Sequence, residues 1–424
     1  MTSTGRRIGR HGAALALWLG CCSTLALLAQ GNRGAGWVTA WGTSQQALGD
    51  DRVTNATVRM IAKVTIPGNA VRIRLSNAYG TQPLTIGRAS AGLRIRGAAI
   101  APGSAIAVTF SGAANVVIPP GGTVTSDAVP LRVRARQDVA VSLYVPDANV
   151  RPSQHTGAQV TSYRSSDNSG DLTLVQAAER FDGSTTAMWW LKAVDVQGDA
   201  PGAIVMFGDS ITDGTCTTLD AHDRWEDLLS IRLGLDAEAR RGGRGAAGGL
   251  MAVVNEGIGG NTITREGLMP PPDSTPGLER VDRDVLAHQG VRDVVLFMGT
   301  NDIRRGASAA SVIAGMTTIA QRLRSQGLRV IAATIIPRHN VAPVGTNTGW
   351  DAGKTRIRNE VNAWIQGKAA PFDSVIDFAR VVRDPRDPDR IDAPFDCGDG
   401  IHPSPAGYYE MGKAVDLRLF GRGR

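Results

Sequence analysis

From Ala203 onward the sequence contains continuous apolar runs, and segments with helical periodicity lie between them. The runs occupy residues 203–207, 294–298 and 330–336, with a shorter run of the same kind at 374–378. A strand without alternation is covered on both faces, which is typical of a parallel sheet. Residues 224–238 and 308–326 carry apolar side chains at helical spacing, and Gly327 ends the second helix. Strands that alternate with helices predict an open parallel sheet, on which ligands bind beyond the carboxyl ends of the strands.

The segment 37–198 follows a different pattern, because its short runs alternate apolar with polar residues. The runs occupy residues 71–75, 131–136 and 139–145, with Pro-Gly turn sequences around them. Many short alternating strands predict an antiparallel β-sandwich of jelly-roll type. We expect the arginines of the first two runs on solvated strand faces. A chain of 424 residues is long enough for two domains, which we place at 30–198 and 199–424.

Residues 1–29 are typical of a secretory signal peptide. Arg6, Arg7 and Arg10 precede an interrupted apolar run that ends at Ala29. The run is too short to predict a membrane span, and a retained anchor or a lipoprotein remain alternatives. The segment holds three basic residues and no acidic one, so its removal lowers the net charge from +7 to +4. We therefore expect a secreted or periplasmic protein without a nucleic-acid partner.

Four segments carry residues suited to catalysis. Ser210 follows the first apolar run, where a flanking glycine permits a tight turn. A glycine cluster ends at Gly260, and its amide groups can point at a ligand. Asn301 follows the second run and offers an amide donor to developing negative charge. Asp399 precedes His402 by three residues and can bind Nδ1 of the imidazole, which leaves Nε2 as a base.

These four segments, in this order, resemble the SGNH hydrolases, also called the GDSL esterase and lipase family. The resemblance covers about residues 200–424 and implies a three-layer α/β/α, flavodoxin-like fold and a serine esterase without a cofactor. It also implies that Ser210 is the nucleophile and that His402 is the general base, oriented by Asp399. The amide of Ser210, Gly260 and Asn301 would form the oxyanion hole. No zinc-binding spacing such as H-E-x-x-H occurs, so we expect no metal.

Two cysteines remain after the predicted signal peptide. Cys216 lies six residues after Ser210, and Cys397 lies five residues before His402. If the serine and the histidine meet, the cysteines become neighbours. We therefore predict a Cys216–Cys397 disulfide, with two buried free thiols as the alternative.

The sequence predicts a secreted serine esterase that forms an acyl-enzyme on Ser210. Its substrates would be O-acetyl groups on carbohydrate, or short-chain lipid or aryl esters. An O-acyltransferase with the same triad and a non-catalytic polysaccharide-binding surface protein are the alternatives. Trp189 and Trp190 either form a stacking surface for sugars or belong to the core.

Overall fold

The computed structural model describes Met1 and residues 36–241, 249–343 and 348–420. Apart from Met1, the predicted signal peptide lies outside the described residues. The described residues from Gly36 onward belong to one compact unit. Among the described helices, none combines the length and the apolar character needed to cross a bilayer. We call the part from 36 to 198 the β-region and the part from 203 to 420 the α/β region.

The β-region consists of short strands that pair antiparallel. They are β1 (Gly36–Gly42), β2 (Ala47–Leu48), β3 (Ala56–Val64), β4 (Ala70–Ser76), β5 (Leu84–Ile86), β6 (Arg88–Arg96), β7 (Ala99–Ile100), β8 (Ile106–Val108), β9 (Val116–Ile118), β10 (Thr123–Thr125), β11 (Gln137–Val145), β12 (Ser153–His155), β13 (Ser162–Arg164), β14 (Gly183–Thr185), β15 (Met188–Trp189) and β16 (Leu191–Gly198). The larger sheets have the orders β1-β16-β4-β10 and β14-β13-β3-β11-β6-β7, with β8 beside β6. The sheet-rich N-terminal half is thus confirmed, and the jelly-roll topology stays a prediction.

Two of the three alternating runs form long strands, namely β4 and β11. The third run, at 131–136, makes a single isolated bridge, between Val133 and Gly68, and a turn at its end leads directly into β11. Its three arginines are exposed, as expected.

The arginines of β4 contradict the prediction of a solvated face. Arg74 is only 5% exposed, and Arg72 is partly buried. Both donate to the carboxylate of Asp195 in β16, at 3.2 and 3.0 Å, and Arg74 also donates to the carbonyl of Ala287 at 2.7 Å. The α/β region covers this face of the sheet and supplies an acceptor, so the guanidinium is buried with partners.

The α/β region contains the predicted parallel sheet. Its strands are β17 (Ala203–Gly208), β18 (Ala252–Gly257), β19 (Val291–Phe297), β20 (Arg329–Ala333) and β21 (Ser374–Ile376). They pair in parallel in the order β18-β17-β19-β20-β21. This is a strand order of doubly wound sheets, in which the order reverses beside the first strand and creates a crevice for ligands. All residues of β17 are buried, as a strand covered on both faces requires.

The described helices of this region form two contacting groups. They are α1 (Ser210–Asp213), α2 (Trp225–Arg241), α3 (Gly277–Val281), α4 (Thr300–Arg304), α5 (Ala309–Ser325), α6 (Ala352–Gln366), α7 (Phe378–Val382) and α8 (Pro405–Ala414). Helices α2 and α7 contact α8, whereas α5 contacts α3, α4 and α6; the short α1 packs on β17 and β18. Ser308 caps α5 by accepting a hydrogen bond from the Ser311 amide, which explains why the predicted helix begins there.

A buried ion cluster joins the β-region to the α/β region. Lys192 of β16 donates to Glu256 of β18 at 2.9 Å and to Asp284 at 2.8 Å, and all three side chains are almost completely buried. Asp284 lies in a π-helical turn that follows α3. Removal of the cation would leave two carboxylates short of a partner away from water.

Lys192→Met should therefore destabilise the whole protein by about 3 kcal/mol, at the lower end for broken buried ion pairs because arginines still contact Asp284. Urea unfolding measures this cost. Lys63→Met is the matched control, since the Lys63–Asp138 pair is partly exposed and should contribute about 1 kcal/mol or less. Equal costs for the two substitutions would contradict the buried cluster as a structural link.

Candidate active site

The turn after β17 presents Ser210 as the first residue of α1. The cap of this helix is Asp209, whose carboxylate accepts from the Ile211 amide at 3.1 Å, so the serine hydroxyl is left for another partner. Burial raises the pKa of Asp209 to about 6. A Cβ at Gly208 would lie 2.1 Å from the hydroxyl of Thr212, so only glycine fits where the strand enters the turn.

The structure brings Ser210, His402 and Asp399 into one hydrogen-bonded row. Ser210 Oγ lies 2.9 Å from His402 Nε2, and His402 Nδ1 lies 2.6 Å from Asp399 Oδ2. The amides of Ile401 and His402 both donate to Asp399 Oδ1 at 2.8 Å. Burial alone would raise the pKa of Asp399, but the hydrogen bonds and charge of His402 and the two amides lower it to about 2. The carboxylate thus accepts from Nδ1–H, which leaves Nε2 free to take the serine proton.

The predicted oxyanion donors come from the strands on either side of β17. Gly260 lies in a turn after β18 with a φ of 71°, and Asn301 lies in α4 after β19. Neither the amide of Ser210 nor that of Gly260 donates to another described residue. Asn301 Nδ2 donates to the Asn261 carbonyl at 3.1 Å, and Arg304 Nε donates to Asn301 Oδ1 at 2.9 Å. These two bonds fix the orientation of the amide and leave one N–H for a ligand.

Comparisons with known protein families identify the α/β region. The GDSL-like lipase/acylhydrolase family matches residues 206–409. The α/β region is a GDSL-like lipase/acylhydrolase domain. The protein is accordingly a carboxylic ester hydrolase. No curated protein sequence matches the chain.

Several solved structures are similar to about half of the chain. Est24, a carbohydrate acetylesterase from Sinorhizobium meliloti, is 16% identical, with 50% of this chain and 95% of that chain covered and a TM-score of 0.38. The native M. smegmatis aryl esterase is 19% identical, with 50% and 95% covered and a TM-score of 0.37. A member of the lipolytic protein G-D-S-L family from Veillonella parvula is 20% identical, with 52% and 98% covered and a TM-score of 0.36.

A buried arginine of the GDSL domain contacts the residues beside the turns that contain Ser210 and Gly260. Arg280 Nη2 donates to the Gly208 carbonyl at 2.8 Å, and Nε donates to Asn261 Oδ1 at 3.0 Å. Its Nη1 donates to Ser44 Oγ of the β-region and to the Glu256 carbonyl, both at 2.9 Å. One side chain therefore connects β17, the turn after β18 that contains Gly260 (the oxyanion turn) and the β-region. This role could not be predicted from the sequence, because nothing in the residues around Arg280 marks these distant acceptors.

The β-region reaches the oxyanion turn of the GDSL domain through a second buried chain of contacts. His155 Nε2 lies 2.9 Å from Asp213 Oδ1, and the Gly259 amide donates to Asp213 Oδ2 at 3.0 Å. His155 Nδ1 lies 2.8 Å from the Ser44 carbonyl, so both ring nitrogens face acceptors, and this arrangement favours the protonated imidazole. Burial lowers the pKa of His155, but Asp213 outweighs this effect, and the pKa is raised. Asp213 thus holds the residue next to Gly260.

Asp302 orders the loop that follows the oxyanion turn. Its carboxylate accepts from the Ile263 amide at 2.9 and 3.1 Å and from the Thr264 amide at 3.3 Å. Asp302 therefore supports the neighbouring loop rather than its own turn. Burial raises the pKa of Asp302 to about 7, although the two amides lower it.

The predicted disulfide is present. Cys216 and Cys397 are bonded, with 6.3 Å between their Cα atoms, and they join the segments that carry Ser210 and His402. Both sulfurs lie within 4.8 Å of an Asp399 oxygen. Because the sulfurs are bonded to each other, neither is a thiolate ligand for a metal.

Of the two interpretations of the tryptophan pair, the structure supports the core. Trp189 and Trp190 are 1% and 0% exposed, and their rings meet edge to face at 6.3 Å. They offer no surface on which a sugar can stack.

His155→Phe removes the imidazole that holds Asp213 while keeping an aromatic ring. We expect kcat for ester hydrolysis to fall about ten- to hundredfold with a smaller change in KM, because a displaced turn weakens one oxyanion donor. Steady-state kinetics with 4-nitrophenyl acetate measure both constants. An unchanged kcat would show that the chain does not position the oxyanion turn.

Two further measurements complete this test. The raised pKa of His155 stabilises the fold fully below the ordinary histidine pKa of about 6.5, and this contribution is lost as the pH rises through the folded-state value. The difference in unfolding free energy between wild type and variant should therefore narrow at alkaline pH. Ser142→Ala is the control for the loss of a buried hydrogen bond elsewhere in the β-region. Ser142 is buried in β11 and accepts a hydrogen bond from Arg59 at 2.8 Å.

Proposed function

We propose that this protein is a secreted serine esterase that forms an acyl-enzyme on Ser210. The observation that carries the proposal is the 2.9 Å contact between Ser210 Oγ and His402 Nε2. A serine hydroxyl is a weak nucleophile until an adjacent base accepts its proton during attack. No other serine hydroxyl among the described residues contacts a histidine ring, because Ser44 meets His155 only through its backbone carbonyl.

Acylation follows from the positions of these atoms. Ser210 Oγ attacks the ester carbonyl carbon while its proton moves to His402 Nε2, and the carbonyl π electrons move to oxygen. The amides of Ser210 and Gly260 and Nδ2 of Asn301 stabilise the resulting oxyanion. When the tetrahedral intermediate collapses, the bond to the alcohol oxygen breaks. His402 returns the proton to that oxygen, and the alcohol leaves.

Deacylation repeats these chemical steps with water as the nucleophile. His402 Nε2 takes a proton from water as its oxygen attacks the acyl carbon, and the same donors stabilise the second oxyanion. Collapse breaks the bond to Ser210 Oγ, which recovers its proton from His402. Asp399 stays ionised throughout, in keeping with its pKa of about 2, and stabilises the imidazolium that forms twice in each cycle.

Two features support an oxidising compartment as the location of the mature protein. The first 29 residues have the composition of a signal peptide. The Cys216–Cys397 bond is of a kind that persists in secreted and periplasmic proteins and is rare where thiols are kept reduced. We propose that the mature protein acts outside the cytosol, on O-acetyl groups of carbohydrate or on short-chain lipid or aryl esters.

Single substitutions in the triad test the proposal. Ser210→Ala and His402→Ala should each lower kcat for 4-nitrophenyl acetate by about 10⁵- to 10⁶-fold, and Asp399→Ala by about 10⁴-fold, as in comparable serine hydrolases. Asp399 only orients His402 and stabilises its imidazolium, so its loss leaves more activity than the loss of Ser210 or His402. Ser325→Ala, at the exposed end of α5, is the control and should match wild type. Equal losses in all three triad variants would contradict the assigned roles.

Product analysis separates hydrolysis from acyl transfer. An acceptor alcohol such as a free sugar is added to the reaction, and acetate and acetylated sugar are quantified together. We expect acetate to predominate. Predominance of the acetylated sugar would assign an O-acyltransferase instead.

A further inference from the structure

A buried arginine with two unused hydrogen-bond donors lies at the carboxyl edge of the parallel sheet, with its guanidinium 5.2 Å from the centre of the Trp350 ring. Arg338 follows the carboxyl end of β20, and its side chain is only 2% exposed. Its Nε donates to Asn340 Oδ1 at 2.8 Å. Its Nη1 and Nη2 are buried, and neither has a hydrogen-bond partner among the described residues. Buried guanidinium groups are normally paired, so two unused donors point to a group that arrives from outside.

The segment that holds Arg338 contacts the catalytic turns. The His339 amide donates to the Gly400 carbonyl at 2.8 Å, in the loop between Asp399 and His402. Asn340 Nδ2 donates to the Thr348 carbonyl at 3.2 Å, and Thr348 Oγ1 donates to the Arg304 carbonyl at 2.8 Å. Because β20 neighbours β19, Arg338 lies on the Asn301 side of Ser210, where ligands of such sheets bind.

The charged groups that act on Arg338 are one further arginine and two carboxylates with hydrogen-bond partners of their own. Arg304 is also buried and donates to Asn301, and its charge acts on Arg338. The carboxylates that act on Arg338, those of Asp209 and Asp399, form hydrogen bonds with other groups. Burial lowers the pKa of Arg338 to about 10, which leaves it a cation at neutral pH. A buried cation that no carboxylate binds attracts anions strongly.

We propose that Arg338 binds an anionic group of the ester substrate, so that the enzyme prefers esters that carry a carboxylate or a phosphate. This inference rests on the serine esterase activity proposed above. The two Nη donors of a guanidinium form a planar fork that matches two oxygens of either group. The anion belongs to the acyl part in a half-ester of a dicarboxylic acid, or to the alcohol part in an acetylated sugar acid or sugar phosphate.

Matched pairs of esters test the proposal on the whole protein. Mono-4-nitrophenyl adipate is compared with 4-nitrophenyl hexanoate for the acyl part, and O-acetylated galacturonic acid with O-acetylated galactose for the alcohol part. O-Acetylated glucose 6-phosphate distinguishes phosphate from carboxylate. We expect kcat/KM for the anionic member to exceed that of the neutral member about tenfold or more in at least one pair.

Substitution of Arg338 assigns the preference to this side chain. Arg338→Met should bring the ratio of anionic to neutral kcat/KM close to one, and Arg338→Lys should keep part of it, because it retains the charge without the fork. Arg132→Met removes an exposed arginine of the β-region and should leave the ratio unchanged. If Arg338→Met does not fold, Arg338→Lys and competitive inhibition of wild type by free adipate, galacturonate or phosphate carry the same test.

Two results would overturn the proposal. One is a wild-type enzyme that hydrolyses neutral esters and shows no anionic preference in any pair. The other is a preference that survives Arg338→Met. If the proposed esterase function itself is wrong, neither member of any pair is hydrolysed, and this result differs from both of the others.

Discussion

The buried guanidinium of Arg280 is the constraint on which the catalytic end of this protein depends. It donates to the end of the nucleophile strand at Gly208, to the side chain of Asn261 beside the oxyanion turn, and to Ser44 in the β-region. These acceptors lie far apart in sequence, and the guanidinium has all its donors paired only when the three segments pack around it. The β-region is therefore part of the structure that shapes the site, and the contact of His155 with Asp213 reinforces the connection.

The proximity of the candidate catalytic residues could be predicted because catalysis restricts which residue types occur where parallel strands end. Ser210 follows a buried apolar run, and the Asp399-x-x-His402 spacing suits an imidazole held at Nδ1. The structure brings these side chains together, with Asn301 on the neighbouring strand end. The disulfide was predictable from the same proximity. Local periodicity also located four of the five parallel strands, since full burial leaves an uninterrupted apolar run.

The rest depends on how the two regions pack, which local patterns do not encode. Strand β18 was missed because Asn255 and Glu256 interrupt its apolar run. Their partners, the Thr212 carbonyl and Lys192 among them, become neighbours only in the folded protein. Arg74 was assigned to solvent for the same reason, since alternation shows which residues share a strand face and not what covers that face. The partners of His155 and Arg280 carry no sequence signal at all.

The central claim is that His402 activates Ser210 as the nucleophile, and covalent labelling tests it most directly. A fluorophosphonate forms a stable bond to an activated serine as fluoride leaves, and the mass of the intact protein followed by peptide mapping locates the adduct. We expect one adduct per chain on Ser210 in wild type and a rate of labelling lower by several orders of magnitude in His402→Ala. Labelling of another residue, or equally fast labelling without His402, would contradict the account.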